Sequence, residues 1–72
     1  MKDSQIIFAQ NLRFLRISQN MSLRQLATAT NISRSALNEY ERGLVNPSLS
    51  NLIKISRYFN KSIDWIIGEK QN

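Results

Sequence analysis

A chain of 72 residues with no cysteine and no histidine must fold on one thin core without disulfides, and it lacks the ligands of most zinc sites and the partners of most nucleophile–base pairs. Ten Lys/Arg against five Asp/Glu give a net charge of +5 and an isoelectric point near 10.3, inside the range of nucleic-acid binders. Hydrophobic residues at 42% mark a chain that folds rather than a basic tail.

Ser4 or Asp3 can cap a first helix reaching about Ser18, in which Phe8, Leu12 and Leu15 recur at i, i+4 and i+7 as one apolar stripe. Ile7 and Phe14 lie beside that stripe; contact with a partner is one reading, and the expectation is that they widen the core beneath Trp65, Ile66 and Ile67. Ser22 and Gln25 form an S-x-x-Q capping box for a short second helix containing Leu26 and Ala27. Ser33 caps a third helix, about 33–42, which carries Ala36, Leu37 and Tyr40 and stops at Gly43 in the C′ position. Pro47-Ser48 opens a fourth, with Leu49, Leu52, Ile55, Ser56 and Phe59 inward. Ser62 opens a short fifth, Ile63 to Ile67, ended by Gly68. Alternation of the β type is scarce and no repeat or linker divides the chain. The expectation is a compact all-α, five-helix fold forming a single domain over residues 1–72.

Other classes fall away on the same pass. Gly43 and Gly68 are isolated, so there is no glycine-rich phosphate loop. The longest apolar run, Ile6-Ile7-Phe8-Ala9, is far short of a membrane span, and the N-terminus has no signal-peptide core. Five scattered carboxylates make no evident acid/base pair, so an enzyme is not expected. The absence of cysteine fits a reducing, cytoplasmic setting.

The connection between the second and third helices carries the most information. Asn31-Ile32-Ser33 leaves about three residues to reverse direction, and asparagine tolerates the left-handed conformation of a helix C′ residue. Ala27 is small where two axes approach, Ile32 plugs the corner, and Leu37 and Tyr40 anchor the helix that follows. A short helix, a tight turn and a second helix at a steep angle describe a helix-turn-helix, whose second helix fits a DNA major groove. With Arg34 at zero on the helical wheel, Ala36, Tyr40 and Leu37 fall at about 200°, 240° and 300°. The opposite side then displays Arg34, Ser35, Asn38 and Arg42, with Glu39 at its edge. Arginine can fork onto guanine, asparagine onto adenine, glutamate can accept from cytosine, and serine is permissive. A merely solvated face, with Glu39 paired to Arg42, is the alternative. Four arginines and no acid between Ser4 and Asn38 favour base reading by Arg34, Ser35, Asn38 and Glu39. Phosphate contacts are expected from Ser22, Leu23 and Arg24 at the start of the second helix, where backbone N–H groups and the dipole suit an anion. Ser33, Arg42, Asn46 and Ser48 are expected to clamp the backbone from the third helix and the turn after it. Leu44 and Val45, two apolar residues in that short turn, are read as interface at least as readily as core.

Leu12-Arg13-Phe14-Leu15-Arg16, Ser22…Leu26-Ala27, Asn31-Ile32-Ser33-Arg34-Ser35, Tyr40-Glu41-Arg42-Gly43, Asn46-Pro47-Ser48, Leu52…Ile55 and Ser62-Ile63-Asp64-Trp65-Ile66-Ile67-Gly68 resemble the Cro/phage-repressor family of bacterial and phage transcriptional regulators. The resemblance runs from about Phe8 to Gly68. It implies a lambda-repressor-like domain that binds a two-fold symmetric operator as a dimer, with the third helix in the groove. It further implies a small dimer contact from the Leu44-Val45 turn and the C-terminal segment, and an ion pair between Arg16 and Glu41 tying the first helix to the recognition helix. Three positions depart from the usual pattern: Leu23 stands where many members carry glutamine, and Thr30 and Lys61 stand where apolar residues are commoner.

The expected function is that of a sequence-specific, repressor-like regulator whose partner is double-stranded DNA, bound as a homodimer at least on DNA. No cofactor, metal, small-molecule ligand or membrane is expected, and the expected setting is cytoplasmic and nucleoid-associated, for a bacterial or phage-encoded protein. Control then falls to protein concentration, weak dimerisation or a regulatory protein partner. The alternative is a protein-interaction module, antitoxin-like or anti-repressor, that uses the same fold chiefly to hold a protein.

Overall fold

The computed structural model describes residues 2–69, with side chains from Gln5 onward. Five helices follow one another: α1 Lys2–Ser18, α2 Leu23–Thr30, α3 Arg34–Glu41, α4 Leu49–Phe59 and α5 Ile63–Ile67. No strand occurs among the described residues, and no helix of theirs is long and apolar enough to cross a membrane.

Serine starts four of the helices. Ser22, Ser33, Ser48 and Ser62 sit in extended backbone, and each side chain accepts from the N–H three residues on. In α2 the box is reciprocal: Gln25 N–H donates to Ser22 Oγ at 3.0 Å and Ser22 N–H to Gln25 Oε1 at 2.8 Å. The fifth start differs from the sequence expectation. α1 begins at Lys2, so Asp3 and Ser4 lie inside the first turn and neither is its cap; adding a residue to a nucleated helix costs little, and such boundaries move by one or two positions.

Left-handed residues end the helices. Asn20, Asn31 and Asn60 have φ of 56°, 60° and 55°, joined by Gly43 at 70° and Gly68 at 82°. After α3, Gly43 N–H donates to Tyr40 O and Leu44 N–H to Glu39 O, both at 3.1 Å, the paired bonds of a Schellman motif. After α2 a single bond, Asn31 N–H to Ala27 O at 2.9 Å, makes the simpler left-handed cap and frees the chain to turn sharply into α3. Gly68 is also a packing residue: a Cβ there would stand 2.5 Å from Ile7 Cγ2.

The core is one cluster: Phe8, Leu12 and Leu15 of α1, Leu26 of α2, Ile32 of the turn, Leu37 and Tyr40 of α3, Ile55 and Phe59 of α4, and Ile66 of α5. Phe8 meets Tyr40 edge-on, centroids 5.6 Å apart. Polar clamps join the helices around it. Asn11 Nδ2 donates to the Trp65 and Ile66 carbonyls at 3.1 and 3.0 Å, satisfying the end of α5 from α1. Asn51 Nδ2 donates to the Tyr40 hydroxyl at 2.9 Å. Thr30 is buried, and its hydroxyl donates to Leu26 O at 2.7 Å, so an alcohol replaces an apolar side chain without stranding a polar atom. Lys61 stays exposed, its ammonium 5.0 Å from the Trp65 ring centroid, a cation–π distance.

Several residues expected in the core or over it are outside: Phe14 is 61% and Leu49 69% exposed, and Ile7 and Trp65 are each 38% exposed. Asn11 holds the α5 carbonyls and Ile7 stands beside Gly68, the residue that ends α5; a five-residue helix spans about 7.5 Å, too short to extend over Phe14 as well. Leu49 shares a side with Leu52 on the helical period, but it is the first residue of α4 and only Leu52 packs against the core.

Candidate nucleic-acid interface

The α2–α3 corner sets the site. The buried side chains Leu26, Ile32 and Leu37 fix the two helices against each other, and Lys54 of α4 braces the turn, its Nζ donating to Asn31 O at 3.3 Å. With Leu37, Tyr40 and Glu41 turned inward, Arg34, Ser35, Asn38, Glu39 and Arg42 are exposed on the other side of α3.

Six residues line one open groove of about 660 Å³: Ser22, Leu23 and Arg24 from the start of α2, and Arg34, Ser35 and Asn38 from α3. Glu39 and Arg42 are exposed on the same helix but are not part of its lining. Ser33 caps α3 and its hydroxyl accepts from Ala36 N–H at 3.0 Å. Asn46 and Ser48 are exposed in the turn after α3, and the Ser48 hydroxyl accepts from Asn51 N–H at 3.1 Å.

The donors at the α2 terminus can be assigned individually. Ser22 N–H is occupied by the Gln25 side chain and Gln25 N–H by Ser22 Oγ. The N–H groups of Leu23 and Arg24, the first two residues of the helix, have no intrahelical acceptor. They and the helix dipole form a small positive concavity beside the exposed guanidinium groups of Arg24 and Arg34. Of the Ser22 donors, the backbone N–H is taken up within the capping box and the hydroxyl proton is not.

Glu41 is the acid of this region that adds no repulsion. Arg16 Nε and Nη2 donate to Glu41 Oε2 and Oε1 at 2.7 and 2.9 Å, and Arg16 Nη1 donates to Met21 O at 2.7 Å. One guanidinium thus ties α1, the α1–α2 turn and α3 together. Arg13 Nε is 3.7 Å from Glu41 Oε1 with most of its side chain in solvent. The hydrogen bond to Glu41 raises the Arg16 pKa above the ordinary arginine value, burial opposes this, and the charge attraction adds to it. The Arg16 and Glu41 charges offset each other, and the charged side chains that line the groove itself are Arg24 and Arg34.

Leu44 and Val45 follow the helix stop and are 54% and 36% exposed, and Leu49, four residues on, is more so. The patch lies beyond the C-terminal end of α3, away from Arg34 at its start. Sequence reasoning missed Lys54, Asn51 and Asn11. For Lys54 the available signal was a lysine inside the apolar run Leu52-Ile53-Lys54-Ile55; the asparagine clamps are long-range contacts without a local signature.

A helix-turn-helix family model matches residues 12–66. The control protein C.BamHI of Bacillus amyloliquefaciens is 40% identical over 53 residues, covering 72% of this chain and 65% of its own length. The immunity repressor protein of Bacillus phage phi105 is 34% identical over 61 residues, covering 85% of this chain and 42% of that one. The chain therefore spans less than two thirds of these relatives. The crystal structure of the restriction-modification controller protein C.AhdI from Aeromonas hydrophila superposes with a TM-score of 0.78 at 31% identity, covering 86% of this chain and 94% of that one. Five helices, the α2–α3 corner and these matches lead to one conclusion: the chain belongs to the helix-turn-helix family of DNA-binding transcriptional regulators, the kind that includes phage repressors.

Proposed function

We propose that residues 1–72 act as a single DNA-binding domain: a sequence-specific, repressor-like regulator that binds a two-fold symmetric operator as a homodimer, with α3 in the major groove. One observation carries this reading: the groove that joins the N-terminus of α2 to the outward face of α3, lined with Arg24, Arg34, Ser35 and Asn38. A helix carrying arginine, serine and asparagine on its free side matches the donor and acceptor pattern of base edges. Leu23 and Arg24 N–H, the Ser22 and Ser33 hydroxyls, Arg42, Asn46 and Ser48 take phosphates on either side, and Glu39 selects at the edge of the reading face. One domain of this size covers about one half-site, so a symmetric pair joined through Leu44 and Val45 would read two. The function needs no cofactor and no small-molecule ligand.

A second reading, a module that mainly holds a protein partner, has its own support. The outer side of α1 carries an apolar groove of about 350 Å³ lined by Gln10, Arg13, Phe14, Ile17 and Ser18. Selection of bound sequences from a random DNA pool decides between them. A two-fold symmetric consensus establishes operator binding by a dimer; absence of enrichment over background favours the partner-binding alternative.

A further inference from the structure

The groove between α2 and α3 is lined by hydroxyls, guanidinium groups and one amide, with a single apolar side chain among them, Leu23. Leu23 is half-buried. It packs against the core cluster on one side and lines the groove on the other. It opens α2, so its backbone N–H has no intrahelical acceptor, while its side chain shares the channel lining with Arg34, Ser35 and Asn38. A leucine cannot answer a base-edge donor or acceptor, and in a polar channel it costs desolvation of whatever polar group it meets. The major groove presents one apolar group for which this side chain is suited, the C5-methyl of thymine.

We propose that the Leu23 side chain is a specificity-determining residue that packs on a thymine methyl next to the base pair contacted from the start of α3. The inference rests on the reading that α3 enters the major groove. It assigns two roles to one residue: the backbone N–H holds a phosphate whatever the sequence, and the side chain selects thymine.

Deoxyuridine tests this directly, because it keeps every hydrogen-bonding atom of thymine and lacks only the methyl. The full chain is titrated with its selected operator and with operators carrying single thymine-to-deoxyuridine replacements, one position at a time. The expected result is a loss of about fourfold at one position in each half-site, the factor that burial of one methyl-sized group supplies. Leu23→Ala binds the thymine operator about as weakly as the native chain binds the deoxyuridine one, and no longer distinguishes the two. Because Leu23 also touches the core, Leu23→Gln, which keeps the stem length, is run beside it. Melting curves of both variants and their affinity for random DNA verify that fold and phosphate contacts survive. The inference is overturned if no thymine is sensitive to loss of its methyl, if the sensitivity persists in both variants, or if the consensus has no thymine at that position. Methylation of guanine N7 reports separately on the underlying reading. If α3 is not in the major groove, that methylation leaves binding unchanged; if only the Leu23 assignment is wrong, it still interferes.

Discussion

Glu41 meets two arginines and treats them differently. Arg16 makes two hydrogen bonds to it from a side chain that is 16% exposed, whereas Arg13 stands at 3.7 Å with 57% of its side chain in solvent. An exposed pair contributes about 0–1 kcal/mol, while removing one partner of a shielded pair strands the other charge and costs about 3 kcal/mol. Glu41→Ala is therefore expected to lower urea-unfolding stability by about 2–3 kcal/mol, and Arg13→Ala by less than about 1 kcal/mol. A double-mutant cycle should find coupling between Arg16 and Glu41 and almost none between Arg13 and Glu41. The pH sign follows from the raised Arg16 value. Stability linked to a raised pKa is present below the unfolded value and lost as pH climbs through the folded one, so the Arg16 contribution should be flat across neutral pH and fail only in strong alkali. On the DNA side of the same helix the contrast is between reading and holding. Arg34 opens α3 in the groove and Arg42 caps its far end outside it. Arg34→Ala should cost about 1–3 kcal/mol on the operator and relax preference at one position per half-site. Arg42→Ala should weaken operator and random DNA alike and reduce the salt slope by about one. Binding curves on both DNAs at two salt concentrations separate the cases; an equal loss on both DNAs for Arg34→Ala would make it a phosphate clamp.

The helix ends carry the fold and are where sequence was most legible. Serine followed three residues later by a free N–H, a glutamine in the box of α2 and glycine after α3 and α5 are local signals, because the partner lies within one turn. Asn31 was readable for the same reason. Asn20 and Asn60 adopt the same conformation but could not be told from surface asparagines without knowing where the neighbouring helix starts. Burial is not local, and there the periodicity misled: Phe14 and Leu49 sit on apolar strips, yet a strip is buried only as far as another element extends over it. In the groove, the side chains on α3 were legible from the helical wheel, while the brace of Lys54 on Asn31 O depended on where α4 runs. Asn31 makes this element-level account testable. Its left-handed backbone turns α2 into α3, so Asn31→Gly should leave stability within about 0.5 kcal/mol, and Asn31→Ala should cost about 1–2 kcal/mol through strain at positive φ. Thermal unfolding checks both. Operator affinity should fall only with Asn31→Ala, since that substitution alone disfavours the angle between α2 and α3.

At the scale of the whole molecule the question is what covers Leu44, Val45 and Leu49. They fall within six consecutive positions, in the turn past the end of α3 and at the first residue of α4, and all three are exposed. A chain with a net charge of +5 repels its own copy, so two domains would meet weakly in solution and more firmly when DNA neutralises both and sets their spacing. Three side chains fit that behaviour, since a standard stable interface buries roughly 800 Å² per partner from about 20–30 residues a side. Leu44→Glu puts a carboxylate into the patch without touching the core, because Leu44 is already 54% exposed and no cavity is opened. The melting temperature should stay within a few degrees of the native one. Binding to a single half-site should be unchanged, and binding to the complete operator should lose its cooperativity. If Leu44→Glu unfolds the domain, the leucine supports the fold; if cooperativity survives in a folded variant, the two copies meet through another surface, and the exposed Phe14 and Ile17 face of α1 becomes the next to substitute.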